Sequence, residues 1–200
     1  MPIDRDRIVE EALQLLNEVG IDKLSTRKLA ERLGVQQPAL YWHFKNRDDL
    51  VRALYERSRL PLDELQLEQM QAARQDGIEA LGNFLLQWCQ LLTTNSQHGQ
   101  IWQVFHRGTA QAPELSELRD DIRQEHEEWL DRIGLFIKTA RKQKQIKLKE
   151  KGKEGLQSTA ANLMVLIFGL IDSQLTAPAL VAPDKTFEPV IKTYLRGMQA

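Results

Sequence analysis

The segment from Leu24 to Arg47, LSTRKLAERLGVQQPALYWHFKNR, constrains the fold more than any other part of the chain. Ser25 or Thr26 can cap a helix, and Gly34 can end it. That helix would turn three apolar residues inward: Leu29, Ala30 and Leu33. Pro38 suits the first turn of a following helix, where proline costs little. The segment therefore predicts two short helices joined by a tight turn, the second one ending in Tyr41, Trp42 and His43. This is the layout of a helix-turn-helix.

The residues on either side of this segment also have helical period. An apolar stripe that Gly20 ends predicts a first helix, with members Ile8, Ala12, Leu15, Leu16 and Val19. Asn46 is a plausible cap for a fourth helix, in which Leu50, Leu54 and Tyr55 share a face. Pro61 is expected to interrupt or kink that helix.

The remainder of the chain continues the helical pattern. Helices are predicted over about 76–93, 101–107, a long stretch opened by Pro113, 156–175 and 187–198, with loops at 108–113 and 177–183. No strand pattern and no internal repeat appears. The predicted fold is all-α with about nine helices. A helix-turn-helix domain at 1–47 precedes a ligand-binding and dimerisation bundle at 48–200, and a linking helix covers about 46–60.

Charge is distributed unevenly along the chain. The formal net charge of the 200 residues is −1, so the whole molecule has no basic field. Between Lys23 and Arg59, however, nine bases outnumber four acids, and a local basic face is what phosphate contact requires. The single cysteine, Cys89, suits a reducing cytoplasm. The charged N-terminus lacks a signal-peptide core, and the most apolar run, Leu163 to Ile171, is about half a membrane span. We expect a cytoplasmic protein without a membrane partner.

Enzyme chemistry has little support in the residues. The four histidines and Cys89 show no metal-ligand spacing, no glycine-rich phosphate loop follows a strand, and no serine lies in a nucleophile-elbow pattern. We therefore expect no catalytic residue, no metal and no cofactor. Two remote alternatives remain, a helical enzyme whose site is assembled purely by the fold and a protein-binding adaptor. An adaptor has no use for Gln37, Tyr41, Trp42 and His43 in this order.

The helix-turn-helix carries side chains suited to DNA. The amide of Gln37 can pair bidentately with adenine, and Pro38 and Ala39 can meet a thymine methyl. Polar and cationic side chains for phosphate or sugar follow, namely Tyr41, Trp42, His43, Lys45 and Arg47. Thr26 and Arg27 begin the preceding helix, which crosses the DNA backbone in this motif. The alternative is a three-helix core with a solvated basic face. Leu40 and Phe44 are predicted core residues under either interpretation.

Residues 1 to about 57 resemble the N-terminal domain of the TetR family of bacterial transcriptional regulators, through the runs LNEVGIDKLSTRKLAERLGVQQPALYWH and QPALYWHFKNRDDL. The family's DNA-contact positions fall on Thr26, Arg27, Gln37, Pro38, Ala39, Tyr41, Trp42, His43 and Lys45. The resemblance implies a homodimer that binds a palindromic double-stranded operator, usually as a repressor. Ala39 departs from the tetracycline-responsive branch, which has a hydroxyl residue there, so the operator sequence stays open.

The second half resembles the AcrR branch of the family, whose members commonly control efflux pumps. The resemblance rests on IWQVFHRG at 101–108, the acidic helix that follows, and LMVLIFGLIDSQL at 163–175. It implies an inducer site inside the bundle and dimerisation through the last two helices. The run His106 to Thr109 is similar to one at the drug site of the tetracycline-responsive branch, but Ala110 and Gln111 diverge. The alternative is a regulator of metabolic genes that senses a fatty-acyl or other metabolite.

Aromatic side chains are the candidates for an inducer pocket, because pockets are mostly apolar with a few polar groups. The candidates are Trp88, Trp102, Phe105, His106, Trp129 and Phe168. Each also fits an ordinary core position on a helical stripe. In the same way, the apolar helix from Leu163 to Leu175, in which Gly169 permits close approach, fits either a dimer interface or an intrachain core.

Overall fold

The computed structural model describes residues 3–93, 97–108, 113–148, 152–179 and 181–199. These residues form nine α-helices and contain no strand beyond one isolated antiparallel bridge between Ile146 and Gln199. The all-α prediction is confirmed. The helices are α1 Arg5–Val19, α2 Thr26–Leu33, α3 Gln37–Leu40, α4 Arg47–Ala72, α5 Gly77–Thr93, α6 Gln97–Gly108, α7 Arg119–Lys142, α8 Gly152–Thr176 and α9 Pro183–Arg196.

Short-range signals set the ends of the first helices. Ser25, not Thr26, caps α2, because its Oγ accepts from the backbone N–H of Lys28 at 3.3 Å. Gly34 ends α2 in the left-handed conformation, at φ 67°, which favours glycine. The Asn46 side chain accepts from the backbone N–H of Asp49 at 2.8 Å and so begins α4 as predicted.

The second helix of the motif is shorter than predicted. α3 covers only Gln37–Leu40, so the expectation that it ends in Tyr41, Trp42 and His43 is wrong. The chain continues through Tyr41 and His43 in tight turns, in which their N–H groups donate to residues three positions back, Pro38 and Leu40, at 3.1 and 3.0 Å. This i to i−3 bonding replaces the α pattern. Phe44 thereby reaches the core one turn after Leu40.

α4 is longer than predicted. Pro61 does not end it; the helix continues to Ala72. Proline in a helix interior costs about 3 kcal/mol, since it removes one backbone hydrogen bond. Leu62 and Leu65, directly after the proline, are buried, and their burial offsets this cost.

Other boundaries also differ from the predicted ones. α6 begins at Gln97 rather than at residue 101. Pro113 opens a 3₁₀ helix that ends at Leu118, and α7 begins only at Arg119. α8 begins four residues earlier than predicted, at Gly152 rather than Leu156. α9 begins at Pro183 rather than Phe187, because proline is well suited to the first turn of a helix.

The chain divides into two compact units, the first made of residues 1–60 and 95–122. In this unit α1 contacts α2 and α6, and α2 contacts α3. Its core is apolar and includes Ile8, Leu16, Leu29, Leu40 and Phe44. Tyr55 of α4 meets Phe105 of α6 edge to face at 5.4 Å between ring centroids. This unit therefore includes α6 in addition to the helix-turn-helix.

The second unit comprises residues 61–94 and 123–200. Its central helix, α5, packs against α8 and α9. The start of α5 approaches α7 so closely that a Cβ on Gly77 would lie 2.7 Å from the backbone nitrogen of Ala140. Gln143 closes the same junction, because its side chain accepts from the Gly77 N–H at 2.7 Å and donates to the Ala73 carbonyl at 2.8 Å.

Among the described residues, α8 is the one helix long and apolar enough to cross a membrane by length and composition, with a mean hydropathy of 1.3 over 18 of its residues. The apolar run from Leu163 to Ile171 is much shorter than α8, which extends it at both ends. Helices that pack against other helices pass the same test. Residues Leu163, Ile167 and Leu170 of α8 are buried within the second unit.

Candidate DNA-binding site

Two buried residues hold the α3 region to the first unit. Leu40 and Phe44 are almost fully buried, as predicted for core residues. The guanidinium of Arg5 lies 5.0 Å from the centroid of the Phe44 ring. With these anchors inside, the residues between them are turned outward.

The outward residues are unusually apolar for a solvent-facing surface. Trp42 is 87% exposed and Tyr41 is 48% exposed. Pro38 and Lys45 are also exposed, whereas Ala39 and His43 are half-buried. Large aromatic side chains adjacent to one another on a surface are typical of a binding site.

Three of the predicted contact residues form a hydrogen-bonded cluster. The Nε2 of Gln37 donates to the Oγ1 of Thr26 at 2.9 Å and to the hydroxyl of Tyr41 at 3.3 Å. The two hydroxyl oxygens lie 3.5 Å from each other. The structure thus joins the start of α2 to the start of α3 through these three side chains.

The basic residues of the segment have two different roles. Several neutralise acids within the first unit: Arg32 bridges Glu11 and Glu18, Arg52 pairs with Asp121, and Arg57 pairs with Glu10. The hydrogen bonds that the Arg32 guanidinium donates to Glu18 and Glu11 raise its pKa above the ordinary value.

The cations nearest the motif are more exposed. Arg27 pairs with Glu31 at 2.9 Å on the surface, where an ion pair is worth little and exchanges readily. Lys28 donates to the Lys23 carbonyl at 3.2 Å, and Lys45 is exposed. Arg27, Lys28 and Lys45 are therefore exposed cations at the surface of the helix-turn-helix.

The six pocket candidates fall into two groups, one in each unit. In the first unit, Phe105 is buried against Tyr55, and Trp102 stacks on His106 at 4.4 Å. In the second unit, Trp88 and Trp129 are buried with ring centroids 4.5 Å apart, and Phe168 lies 6.1 Å from Trp88. Thr109, Ala110 and Gln111, which bear on the comparison with the tetracycline-responsive branch, lie outside the described residues.

Sequence reasoning missed two members of the second group. Phe84 lies within 6.3 Å of both tryptophans and of Phe136. Glu125 is a buried carboxylate whose Oε1 accepts from the Trp129 Nε1 at 3.2 Å. A signal for it was present, since Glu125 occupies the apolar stripe of α7 between Ile122 and Trp129. Within the part of the chain that the structure describes, the Nε1 of fully buried Trp88 has no hydrogen-bond partner.

Two cavities are lined by other residues. One of about 410 Å³ lies between α5 and α9, with Ile78, Gly82 and Leu195 among its walls. Another of about 900 Å³ follows α7 and α8 and includes Gly134, Leu135 and Leu156. Neither includes any of the six candidates.

The chemistry of Cys89 does not suit a nucleophile. Burial raises the pKa of its thiol to about 12, so the reactive thiolate is scarce near neutral pH. Within the described ranges, no group of three or more His, Cys, Asp or Glu side chains is arranged to hold a metal ion.

Residues 8–54 match the family model described as "Bacterial regulatory proteins, tetR family". This segment belongs to the TetR family. It is 69% identical over 49 residues to the class A tetracycline repressor protein from transposon 1721 of Escherichia coli, covering 24% of this chain and 23% of the relative. Over 54 residues it is 61% identical to the class C repressor of Escherichia coli, covering 27% and 25%.

The likeness to AcrR extends further along the chain. The HTH-type transcriptional regulator AcrR of Shigella flexneri is 29% identical over 104 residues, which are 52% of this chain and 48% of that protein. The chain thus spans about a quarter of the length of the tetracycline repressors it matches and about half of AcrR. The predicted TetR/AcrR resemblance is confirmed, and the relatives are named as regulators, not enzymes.

Solved structures of TetR-like fold resemble nearly the whole chain. SmeT, the repressor of the Stenotrophomonas maltophilia multidrug efflux pump SmeDEF, has a TM-score of 0.78 at 19% identity, covering 99% of this chain and 91% of that one. NalD, the secondary repressor of the MexAB-OprM pump in Pseudomonas aeruginosa, has a TM-score of 0.74 at 23% identity, covering 98% and 96%. A Saccharomonospora viridis regulator in complex with choline scores 0.71 at 22% identity, covering 96% and 95%. At these identities the likeness shows the fold.

Proposed function

We propose that the protein is a homodimeric transcriptional repressor that a small, mostly apolar inducer releases from a palindromic operator. The observation that carries the proposal is the exposure of Trp42 and Tyr41 on a TetR-family helix-turn-helix whose Leu40 and Phe44 are buried. A surface of this kind suits the major groove and the adjacent phosphates. A double-stranded operator is the partner we assign to it.

In this proposal residues 1–47 read DNA and residues 48–200 sense the inducer, with α4 linking the two. The DNA contacts are Thr26, Arg27, Gln37, Pro38, Ala39, Tyr41, Trp42, His43 and Lys45. Base edges are met at the start of α3, since that end of the recognition helix contacts bases in this motif. Arg27 and Lys45 contact phosphate, and binding therefore weakens as salt rises.

The proposed dimer forms through α8 and α9. The solvent-facing stripe of α8 repeats every three or four positions and contains small or uncharged residues: Ser158, Asn162, Val165, Gly169, Ser173 and Thr176. Val165 is 72% exposed. Among the described residues, a Cβ on Gly169 would meet nothing within 4 Å, which leaves room for a second helix. Pairing of two such faces gives the four-helix arrangement common in symmetric dimers.

We place the inducer against the aromatic side chains of the bundle and propose that the protein controls efflux in the cytoplasm. SmeT and NalD are described as repressors of multidrug efflux pumps, and the fold of this chain is similar to theirs. The residues proposed to contact inducers are Trp102, Phe105 and His106 in the first unit and, separately, Trp88, Trp129 and Phe168 in the second unit. A thermal-shift series with lipophilic drugs, acyl chains, dyes and choline distinguishes the efflux proposal from regulation by a metabolite.

The mechanism requires two spacings of the recognition helices. DNA binding needs them about one helical turn apart, roughly 35 Å. An inducer that binds the conformation with the other spacing a hundredfold more tightly couples its binding to DNA release by about 2.7 kcal/mol. α4 carries the change, because it is one continuous helix from Arg47 to Ala72. A crosslink between the two α4 helices in the DNA-competent spacing should block induction.

A mobility-shift assay with the DNA upstream of the protein's own coding region tests the proposal. Gln37→Ala and Tyr41→Ala should each weaken specific binding by about 1–3 kcal/mol. Lys45→Ala should weaken binding to all sequences and reduce its salt dependence. Lys142→Ala, which removes an exposed lysine from the last turn of α7, is the matched control. Binding that is unchanged in both the Gln37 and Tyr41 variants would overturn the assignment.

A further inference from the structure

We propose that the groove between α7 and α8 is a surface on which two copies of this chain associate, with their α7 helices antiparallel across a two-fold axis. The groove has a volume of about 900 Å³, and its apolar lining includes Leu130, Gly134, Leu156 and Ala160. A Cβ on Gly134 would lie 3.8 Å from the Leu156 side chain, so the two helices are close together there. Leu135 also lines the groove and is 47% exposed. This contact goes beyond the proposed DNA-binding function and does not depend on it.

The charges of the groove are separated along its length. Two acids, Glu127 and Asp131, are exposed on the earlier turns of α7. Two lysines, Lys138 and Lys153, are exposed at the other end, next to the connection between α7 and α8. The groove as a whole therefore has no excess of either sign, which disfavours an occupant of one sign, such as nucleic acid or an anionic amphiphile. A surface with acids at one end and bases at the other is complementary to an antiparallel copy of itself.

Asp131 and Lys138 are placed symmetrically on α7. They are seven positions apart, which is about two turns, so they share one face of the helix. Each lies three and a half positions, or about 5 Å along the helix, from the midpoint between Gly134 and Leu135. With a two-fold axis at that midpoint, Asp131 of each copy meets Lys138 of the other, and Leu135 lies beside the axis against its own counterpart.

Both charged side chains are available for this contact. The ion pairs that the structure describes in this stretch of α7 use Arg132, which pairs with Asp63 and with Glu128. Within the described ranges, neither Asp131 nor Lys138 takes part in an ion pair. A second copy therefore gains both charges without breaking a pair inside either chain.

The groove lies on a different side of α8 from the stripe assigned to the dimer. Of the six stripe residues, Ser158 also lines the groove, whereas Val165 and Gly169 do not. Association through the groove therefore adds to the α8–α9 dimer and gives a tetramer. A small surface that is polar at both ends is typical of weak, transient contacts, and we expect a dissociation constant of about 0.1 mM.

Sedimentation equilibrium of the full-length protein at about 0.01 to 1 mM tests the contact. We expect the wild type to show a reversible dimer–tetramer equilibrium that weakens as salt rises, because the charges are exposed. Asp131→Lys and Lys138→Asp each place like charges opposite one another twice, and each should raise the dissociation constant about tenfold. Glu68→Lys, which reverses an exposed charge on α4, is the matched control and should leave the equilibrium unchanged.

Exchanging the two charges provides a readout that a loss of stability would not give. The double variant Asp131→Lys/Lys138→Asp should recover the association of the wild type. The two single variants, mixed in equal amounts, should associate with each other more tightly than either does alone, because one chain then offers two lysines and the other two aspartates. Circular dichroism shows whether each variant keeps its helices.

The outcomes separate this contact from the other parts of the proposal. A single mass for the wild type up to about 1 mM overturns the contact. An association that both single variants leave unchanged, or a folded double variant that does not recover it, also overturns the contact. Saturable binding of laurate to a wild type that does not associate would assign the groove to an amphiphile instead. If the charge dependence holds but the smaller species is a monomer, the groove contact stands and the α8–α9 dimer fails.

Discussion

The guanidinium of Arg47 donates to the backbone carbonyl of Ile21 over 2.7 Å and to that of Leu24 over 3.2 Å. Both carbonyls belong to the connection between α1 and α2, and Arg47 begins α4. This cation therefore joins three helices of the first unit. The Arg47 guanidinium therefore binds backbone carbonyls of its own unit. Its position in the sequence, directly after α3 and the turns that follow it, had instead predicted contact with phosphate or sugar.

Arg47→Ala should lower the free energy of unfolding by about 1–3 kcal/mol, because it leaves two half-buried carbonyls without their charged donor. Arg27→Ala is the matched control; it removes a surface pair with Glu31 worth at most about 0.5 kcal/mol. Urea unfolding followed by circular dichroism measures both. Equal losses in the two variants would show that the Arg47 contacts are not important for stability.

Cys89 should make the protein less stable at alkaline pH. In the unfolded chain its thiol ionises near its ordinary pKa of 9.0, whereas burial raises the pKa in the fold to about 12. Between these values the unfolded state binds fewer protons than the fold, so stability is complete below pH 9 and falls as pH rises. The contribution is about 1.4 kcal/mol for each pH unit.

Unfolding measured from pH 8 to pH 11 in the wild type and in Cys89→Ala tests this. The loss between pH 9 and 11 should be smaller in the variant, although the variant is less stable at pH 8 because it leaves a cavity. Parallel curves for the two proteins would show that another group causes the alkaline loss.

Val165→Asp should convert the proposed dimer into a monomer. A carboxylate at the centre of the α8 stripe would face its own copy across the two-fold axis, where burying an unpaired charge is costly. Leu67→Asp, which places the same charge at an exposed apolar position of α4, is the control. Analytical ultracentrifugation gives the masses. A Val165→Asp protein that sediments as the wild type would place the interface elsewhere.

Pro61→Ala should stabilise the protein by about 1–3 kcal/mol, since it restores a backbone hydrogen bond in the interior of α4. Pro183→Ala should change stability little, because Pro183 occupies the first position of α9, where no intrahelical bond is lost. Calorimetry compares the two melting temperatures. A stability that does not rise in Pro61→Ala would mean that packing around Leu62 depends on the proline.

The helix-turn-helix is the part of the molecule that short-range chemistry explains best. Ser25, Gly34 and Asn46 act on backbone groups within a few positions of themselves, and the same few positions are visible in a sequence. The boundary errors arose where distant packing decides. α4 passes Pro61 because the leucines that follow are buried, and α3 ends early because Phe44 must return to the core.

The roles of several side chains likewise depend on residues that are far away in the sequence. Arg47 stabilises the fold by donating to backbone carbonyls 23 and 26 positions earlier in the chain. The aromatic cluster gathers around Phe84 because α5 and α7 cross, and a helical period states only which residues share a face. Glu125 is buried on that account too, next to Trp129.

The sequence by itself determined the helical class and the helix-turn-helix motif, because local caps and residue types at fixed spacing specify them. Only the tertiary structure decided how the side chains of the motif are arranged. It closed Arg47 onto the first unit, oriented the Gln37 amide against a hydroxyl eleven positions away, and left Trp42 outside while burying Phe44. These side-chain positions depend on which helix faces pack against one another, and only the folded chain brings those faces together.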